Sequence, residues 1–320
     1  MESSTNEIIK EIPGIVRIFE DGRIHKLQVP DIVPAGVDPS SGVNSKDVVF
    51  SPQNNVFARL YVPKTTTIIP HHKLPLLVFY HGGGFMIESA KSSLYHNFLN
   101  LVVSESNVVA VSVDYRLAPE FPLPIAYEDS WEAIKWIAEH VNGNGPEPWL
   151  NEYADLQNIF LTGDSAGGNI AHHMAIRVGS DTPSGLGFQG VILFHPYFWG
   201  KERVGKESDF IEPRLIALFN DAWAVAHPGS SGLDDPLINP GIDPKISGMG
   251  CSKMMVFIGG NDLMRERGLY YKDLVEKSGW KGHLEVVEDE GEEHVFFLFN
   301  PSCANACTLR TRICTFINNA

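Results

Sequence analysis

The sequence predicts an α/β protein: a mostly parallel central sheet with helices on both faces. Three observations carry that class. Short, nearly continuous apolar runs recur at 74–80, 108–113, 159–162, 191–194, 254–258 and 284–287, as strands covered on both faces require. Segments of helical period lie between them, at 94–104, 125–141, 166–178, 265–278 and 304–317, and such alternation is what parallel crossovers need. Finally, 320 residues that are 43% hydrophobic and 20% charged are enough for one large domain with a full core, or for two ordinary ones.

In chain order, the first residues read as an irregular arm. Segments 15–19 and 23–27 alternate around Asp21-Gly22, a strong hairpin signal. A stretch containing proline and glycine follows over 30–45; 57–62 reads as a strand and 64–73 as a polar hairpin or loop. After the strand and helix pairs begin, only 201–228 breaks the rhythm. It holds no strand and carries Leu215, Ile216, Leu218, Phe219 and Trp223 at helical spacing. A lid over the sheet and an ordinary crossover helix are both open for it. Residues 1–320 are expected to form one domain in which 1–45 and 201–228 contribute a small cap.

The formal charge of −14 repels phosphate backbones and anionic headgroups, so neither nucleic acid nor a membrane is an expected partner. The first residues lack a secretory apolar stretch, and a cytoplasmic location is expected. Cys251, Cys303, Cys307 and Cys314 form no C-x-x-C pair, so reduced thiols are expected and a metal is not.

The sharpest local signal is Gly163-Asp164-Ser165-Ala166-Gly167, placed between an apolar strand and an apolar helix. G-x-S-x-G in that context is the nucleophile elbow of α/β-hydrolases. A serine at so tight an apex leaves no room for side chains two positions away, hence the glycines. The turn also sets Ser165 at a helix N-terminus, where negative charge is favoured. His81-Gly82-Gly83-Gly84-Phe85 follows the first buried strand. Its glycines let backbone N–H groups converge, and the oxyanion of acyl transfer needs such donors. The N–H groups of Gly83, Gly84 and Ala166 are the candidates, with His81 bracing the loop.

The acid and base should follow Ser165 in that order. Asp262 ends Gly259-Gly260-Asn261-Asp262, directly after the run 254–258. Its competitors Asp234, Asp235 and Asp243 stand in proline-rich loops. Of the two later histidines, His283 opens a strand at the wrong end of the sheet, whereas His294 lies beyond that strand at the catalytic edge. His294 is therefore the expected base and Asp262 the residue that orients it. His172 and His173 are adjacent on a helix and are expected to point apart rather than to share a metal. Asp164 reads as a structural hydrogen-bonding residue.

Together, His81–Phe85, Asp114-Tyr-Arg-Leu-Ala-Pro-Glu120 and Gly163-Asp-Ser-Ala-Gly-Gly-Asn169 resemble the hormone-sensitive-lipase-like branch of the α/β-hydrolases. His195-Pro-Tyr-Phe-Trp-Gly200, Asp235-Pro-Leu-Ile-Asn-Pro240 and Lys277-Ser-Gly-Trp-Lys-Gly282 narrow the likeness to plant carboxylesterases. That group includes 2-hydroxyisoflavanone dehydratases, gibberellin receptors and alkaloid cyclases. The resemblance implies the triad and oxyanion residues above, a cap made partly by the N-terminal arm, and no cofactor. It also implies a pocket in which Phe85, Met86, Ile87, Phe198 and Trp199 supply apolar surface. The expected activity is hydrolysis of esters of small apolar metabolites through an acyl-serine, by a monomer or weak homodimer. Elimination or cyclisation on the same scaffold is the alternative. A non-catalytic receptor is less favoured, because receptors of the group lack the catalytic histidine and His294 is present.

Overall fold

Two sheets of unequal size organise the chain, which is described by a computed structural model over residues 7–64 and 72–319. The smaller joins β1 (Ile8–Ile12), β2 (Val16–Phe19) and β3 (Ile24–Lys26) in antiparallel order. The β2–β3 turn falls at Asp21-Gly22, and Gly22 adopts φ +82°, the left-handed region that a side chain disfavours. β1 corrects the reading of the arm as irregular. Its Ile8 and Ile9 are exposed and only Ile12 is fully buried, so no period of two announced the strand.

The larger sheet holds β4 (Asn44–Ser51), β5 (Val56–Val62), β6 (Leu74–Tyr80), β7 (Val109–Asp114), β8 (Ala154–Asp164), β9 (Phe188–Phe194), β10 (Lys253–Gly259) and β11 (His283–Asp289). Their order is β11-β10-β9-β8-β6-β7-β5-β4. From β7 to β11 every pairing is parallel, while β5 runs antiparallel to both β4 and β7. β4 begins at the end of the proline- and glycine-containing stretch 30–45 and runs on to Ser51, where the sequence pointed to no element. It is an edge strand whose polar Ser, Lys and Asp residues hide its alternation. Residues 65–71 of the expected 64–73 hairpin or loop lie outside the described residues.

Period two assigns each strand residue to a layer. Leu74, Leu76, Val78 and Tyr80 of β6 enter one core, and Leu77 and Phe79 enter the other. Each such side chain contributes roughly 1.5–3 kcal/mol when fully buried. The first core lies under α2 (Ile125–Ala138) and α4 (Ala166–Ser180), the second under α1 (Ser93–Ser106) and α9 (Ala304–Asn318). α3 (Pro148–Tyr153) leads into β8, α7 (Arg265–Ser278) joins β10 to β11, and α8 (Phe296–Phe299) follows β11. The segment 201–228 contains α5 (Glu207–Phe210) and α6 (Pro213–Ala226). α6 lies against β1, where Lys10 Nζ meets Asp221 Oδ1 at 2.5 Å.

The strand order also decides where a site can form. After β6 the chain winds to β7 on one side, then crosses to β8 and steps outward through β9, β10 and β11 on the other. The loops leaving β6 and β8 therefore diverge, and a crevice opens at their carboxyl ends.

Candidate active site

β8 ends in the elbow. Ser165 has φ 50° and ψ −116°, and α4 begins at the next residue. A non-glycine residue in that backbone is strained and persists only where its surroundings hold it. Its N–H donates to Phe194 O at 2.9 Å, and its carbonyl accepts from Tyr197 N at 2.8 Å and Asn169 N at 3.0 Å. A Cβ at Gly163 would stand 2.4 Å from Gly167 O, and one at Gly167 would stand 1.9 Å from Tyr80 O. The glycines are thus fixed by the close passage of β6 and the helix start.

The loop after β6 turns on Gly83 (φ +96°) and Gly84 (φ +61°). Its entry is anchored from the elbow: Gly82 N–H lies 2.9 Å from both Asp164 Oδ1 and Tyr95 Oη, and Tyr95 O–H donates to Asp164 Oδ2 at 3.0 Å. His81 bonds Gly82 O through Nδ1 at 2.9 Å and stacks on Tyr115, whose hydroxyl donates to His81 O at 2.6 Å. Among the described residues, Gly83 N–H, Gly84 N–H and Ala166 N–H have no protein acceptor, so the three candidate oxyanion donors are unengaged.

The loops after β10 and β11 bring Asp262 and His294 to Ser165. His294 Nε2 is 3.0 Å from Ser165 Oγ, and His294 Nδ1 is 2.7 Å from Asp262 Oδ2. A carboxylate at Nδ1 sets the proton there and leaves Nε2 to accept the serine proton. Asp262 Oδ1 accepts from Met264 N at 2.9 Å. Burial alone raises the Asp262 pKa, but the charge and hydrogen bonds of His294 and His195 outweigh it and hold the carboxyl below its usual range. For His294 burial pulls downward, yet Asp262 and then Asp164 leave its pKa raised above 6.5. Asp164 is pushed up to about 7, chiefly by burial.

Beside these groups is a cavity of about 480 Å³. The larger sheet and its loops contribute Gly84, Met86, Ser165, Tyr197, Leu263, Met264 and His294; the small sheet contributes Ile12 and Ile15; α6 contributes Leu218, Phe219 and Ala222. Of the five expected pocket residues, only Met86 lines it. Phe85 is fully buried against Tyr127, Tyr197 and Trp223. Phe198 packs on His172 and Tyr271, and Trp199 on Phe219. Ile87 is half-buried and off the cavity wall. Position next to a motif suggested these residues, but strongly apolar side chains there fill the core instead. Sequence reading missed Ile12, Ile15, Leu263 and Met264, which only tertiary packing brings to the wall. The helical pattern of 215–223 did carry Leu218 and Phe219.

Two further histidine placements were not expected. His195 Nδ1 lies 3.1 Å from Asp262 Oδ2, buried beside the triad; the signal was a histidine at a strand end, used earlier only as part of a likeness. His172 and His173 do not diverge: their rings are 4.8 Å apart and, with Asp243, each offers one ligand atom within 4.8 Å of the others. Both rings are already bonded, His172 to Tyr271 Oη at 2.8 Å and His173 to Leu237 O at 3.1 Å.

A mostly parallel sheet, an elbow serine at its switch point, and a histidine–carboxylate pair beyond it define the class of α/β-hydrolases. Residues 77–298 match the family described as alpha/beta hydrolase fold, and the chain belongs to it. It is 46% identical over 318 residues to "Probable carboxylesterase 4, mitochondrial" of Arabidopsis thaliana, covering 98% of this chain and 84% of that protein. It is 41% identical to a 2-hydroxyisoflavanone dehydratase of Glycyrrhiza echinata, covering 98% of each. An esterase of Pyrobaculum calidifontis superposes with a TM-score of 0.67 at 27% identity, covering 86% of this chain and 85% of that one.

Proposed function

We propose that this chain is a carboxylesterase acting on esters of small apolar metabolites through an acyl-Ser165 intermediate. The observation that carries the reading is the relay from Ser165 Oγ to His294 Nε2 at 3.0 Å and from His294 Nδ1 to Asp262 at 2.7 Å, opening on an apolar cavity. His294 takes the Ser165 proton as Oγ attacks the ester carbonyl. Charge collects on the carbonyl oxygen, where the Gly83, Gly84 and Ala166 N–H groups stabilise it. The tetrahedral species expels the alcohol, which takes the proton from His294. Water, deprotonated by the same imidazole, then releases the acid and restores Ser165. Asp262 keeps the tautomer and stabilises the imidazolium throughout.

In this reading the cap consists of β1–β3 together with α6, since both supply cavity wall. The chain is further read as cytoplasmic and as a monomer or weak homodimer. Free Cys251, Cys303, Cys307 and Cys314 support a reducing compartment, and among the described residues no helix is long and apolar enough to cross a membrane. Cell fractionation and gel filtration test these two points.

A second reading rests on the likeness to the dehydratase: the same base and oxyanion donors would remove a proton and stabilise an enolate in an elimination. One comparison separates the two. Wild type should cleave a short-chain aryl ester and take an organophosphonate label at Ser165, whereas Ser165→Ala should lose roughly 10⁴-fold or more in kcat. Wild type that neither cleaves nor labels overturns the esterase.

A further inference from the structure

α4 carries His172 and His173, neither of which lines the cavity beside the triad. One ring nitrogen of each and a carboxylate oxygen of Asp243 lie within 4.8 Å of one another. His172 is fully buried and Asp243 nearly so. His173 and Asp243 also stand on the wall of a second cavity, of about 550 Å³, together with Tyr127, Leu237 and Lys245. The two cavities share no lining residue.

The bonds these groups already make fix which atoms are free. Burial holds both imidazoles below the ordinary histidine pKa, so each is neutral at pH 7 and carries one proton. Leu237 O can only accept, so the His173 proton is on Nε2 and Nδ1 holds a lone pair. His172 Nδ1 is 2.8 Å from Tyr271 Oη, and the Tyr271 O–H has Met254 Sδ as an acceptor at 3.6 Å. With its proton on Nδ1, His172 leaves no donor unpaired. A proton on Nε2, which has no partner among the described residues, would be a buried orphan. Asp243 Oδ1 accepts from Lys245 N at 2.8 Å, and Oδ2 has no protein donor among the described residues. Three acceptors so close, with no donor among them, are held together best by a cation. We propose that His172 Nε2, His173 Nδ1 and the Asp243 carboxylate bind a divalent metal ion of the zinc type, with its fourth position open to the second cavity.

Two imidazoles and a carboxylate are a donor set that Zn²⁺ accepts, with a water completing four ligands. Metal-bound imidazoles ordinarily rest their outer N–H on a carbonyl, a carboxylate or a water. Leu237 O and the Tyr271 hydroxyl stand in those places. Bonds of about 2.1 Å put tetrahedral ligands roughly 3.4 Å apart, so loading draws the three groups inward. The cavity wall at His173 and Asp243 gives the ion its way in. Seven residues of helix place His172 about 10 Å along α4 from Ser165, so the ion takes no part in ester chemistry. It clamps the helix that starts at the elbow to the loop holding Asp243, whether or not Ser165 cleaves esters.

The test titrates the metal-stripped full chain with Zn²⁺ by calorimetry and melts it with and without the ion, for wild type, Asp243→Asn and His173→Phe. A cooperative melt without metal shows that a variant folds. Wild type should bind one equivalent and gain in melting temperature. Each variant should bind roughly 10-fold or more weakly and lose that gain. Binding at wild-type strength in either variant belongs to other histidines and overturns the site, as does a wild type that binds no Zn²⁺. Anomalous diffraction at the zinc edge from Zn²⁺-loaded wild-type crystals needs no variant to fold. An ion between His172, His173 and Asp243 supports the site; none there overturns it.

Discussion

Asp164 and Ser165 are consecutive, yet one is sealed under the loop after β6 while the other faces the cavity. Burial lifts Asp164 from 3.8 to about 7, so it links folding to protons. Its stabilising contribution is complete below pH 3.8, where both folded and unfolded chains hold the proton. It is lost as pH rises through about 7, because the unfolded chain gives up its proton first. Asp164→Asn, permanently neutral, should therefore gain on wild type in melting temperature between pH 5 and pH 8; a gap constant with pH contradicts this. His294 sets a different limit. As the proposed base it must be neutral to accept the Ser165 proton, and its pKa is raised, so the acid limb of kcat/KM should be centred above the ordinary histidine value of about 6.5. A pH–rate profile checks it. Asp262→Asn removes the main cause of that rise, and should lower kcat about 10⁴-fold through the wrong tautomer.

Elements pass close to one another at the elbow, and that closeness is measurable. Gly167→Ala would drive a methyl group into the Tyr80 carbonyl, at a cost of about 3 kcal/mol or more. Gly229→Ala meets nothing within 4 Å and should unfold within about 0.5 kcal/mol of wild type in urea. These elements were also the legible ones. Strands β6–β11 lie in or next to the two cores, so their apolar runs mark them, and the glycines of the elbow are dictated by backbone passage within a few residues. β1 and β4 escaped notice because an antiparallel strand with a solvated face is specified by its neighbours across the sheet. Part of the cavity wall escaped for a related reason: Ile12 and Met264 are 252 positions apart, and nothing local says that they meet. His195 was visible as a residue but not as a partner of Asp262, since that contact needs the register of β9 on β10.

At the scale of the molecule, the small sheet is held by Ile12 and Val16 in the main core and by one lysine. Lys26 Nζ donates to Met86 O at 2.6 Å and Ala118 O at 2.8 Å and pairs with Glu120 at 2.9 Å. Charged donors to carbonyls contribute roughly 1.5–3 kcal/mol each when made. Lys26→Met should cost about 2 kcal/mol in denaturant unfolding and raise KM for apolar esters, because Met86 stands on the cavity wall. An unchanged KM would separate the hairpin from substrate binding.

The sheet order has a consequence for the life of the chain during synthesis. The proposed oxyanion donors follow β6, the proposed nucleophile β8, and the proposed acid and base β10 and β11, so these groups span positions 83 to 294. A nascent chain still on the ribosome holds the serine elbow long before His294 emerges, and its Ser165 has no base. On the proposed mechanism, a fragment that ends before that histidine is expected to hydrolyse no ester, which assay of a chain truncated before His294 checks.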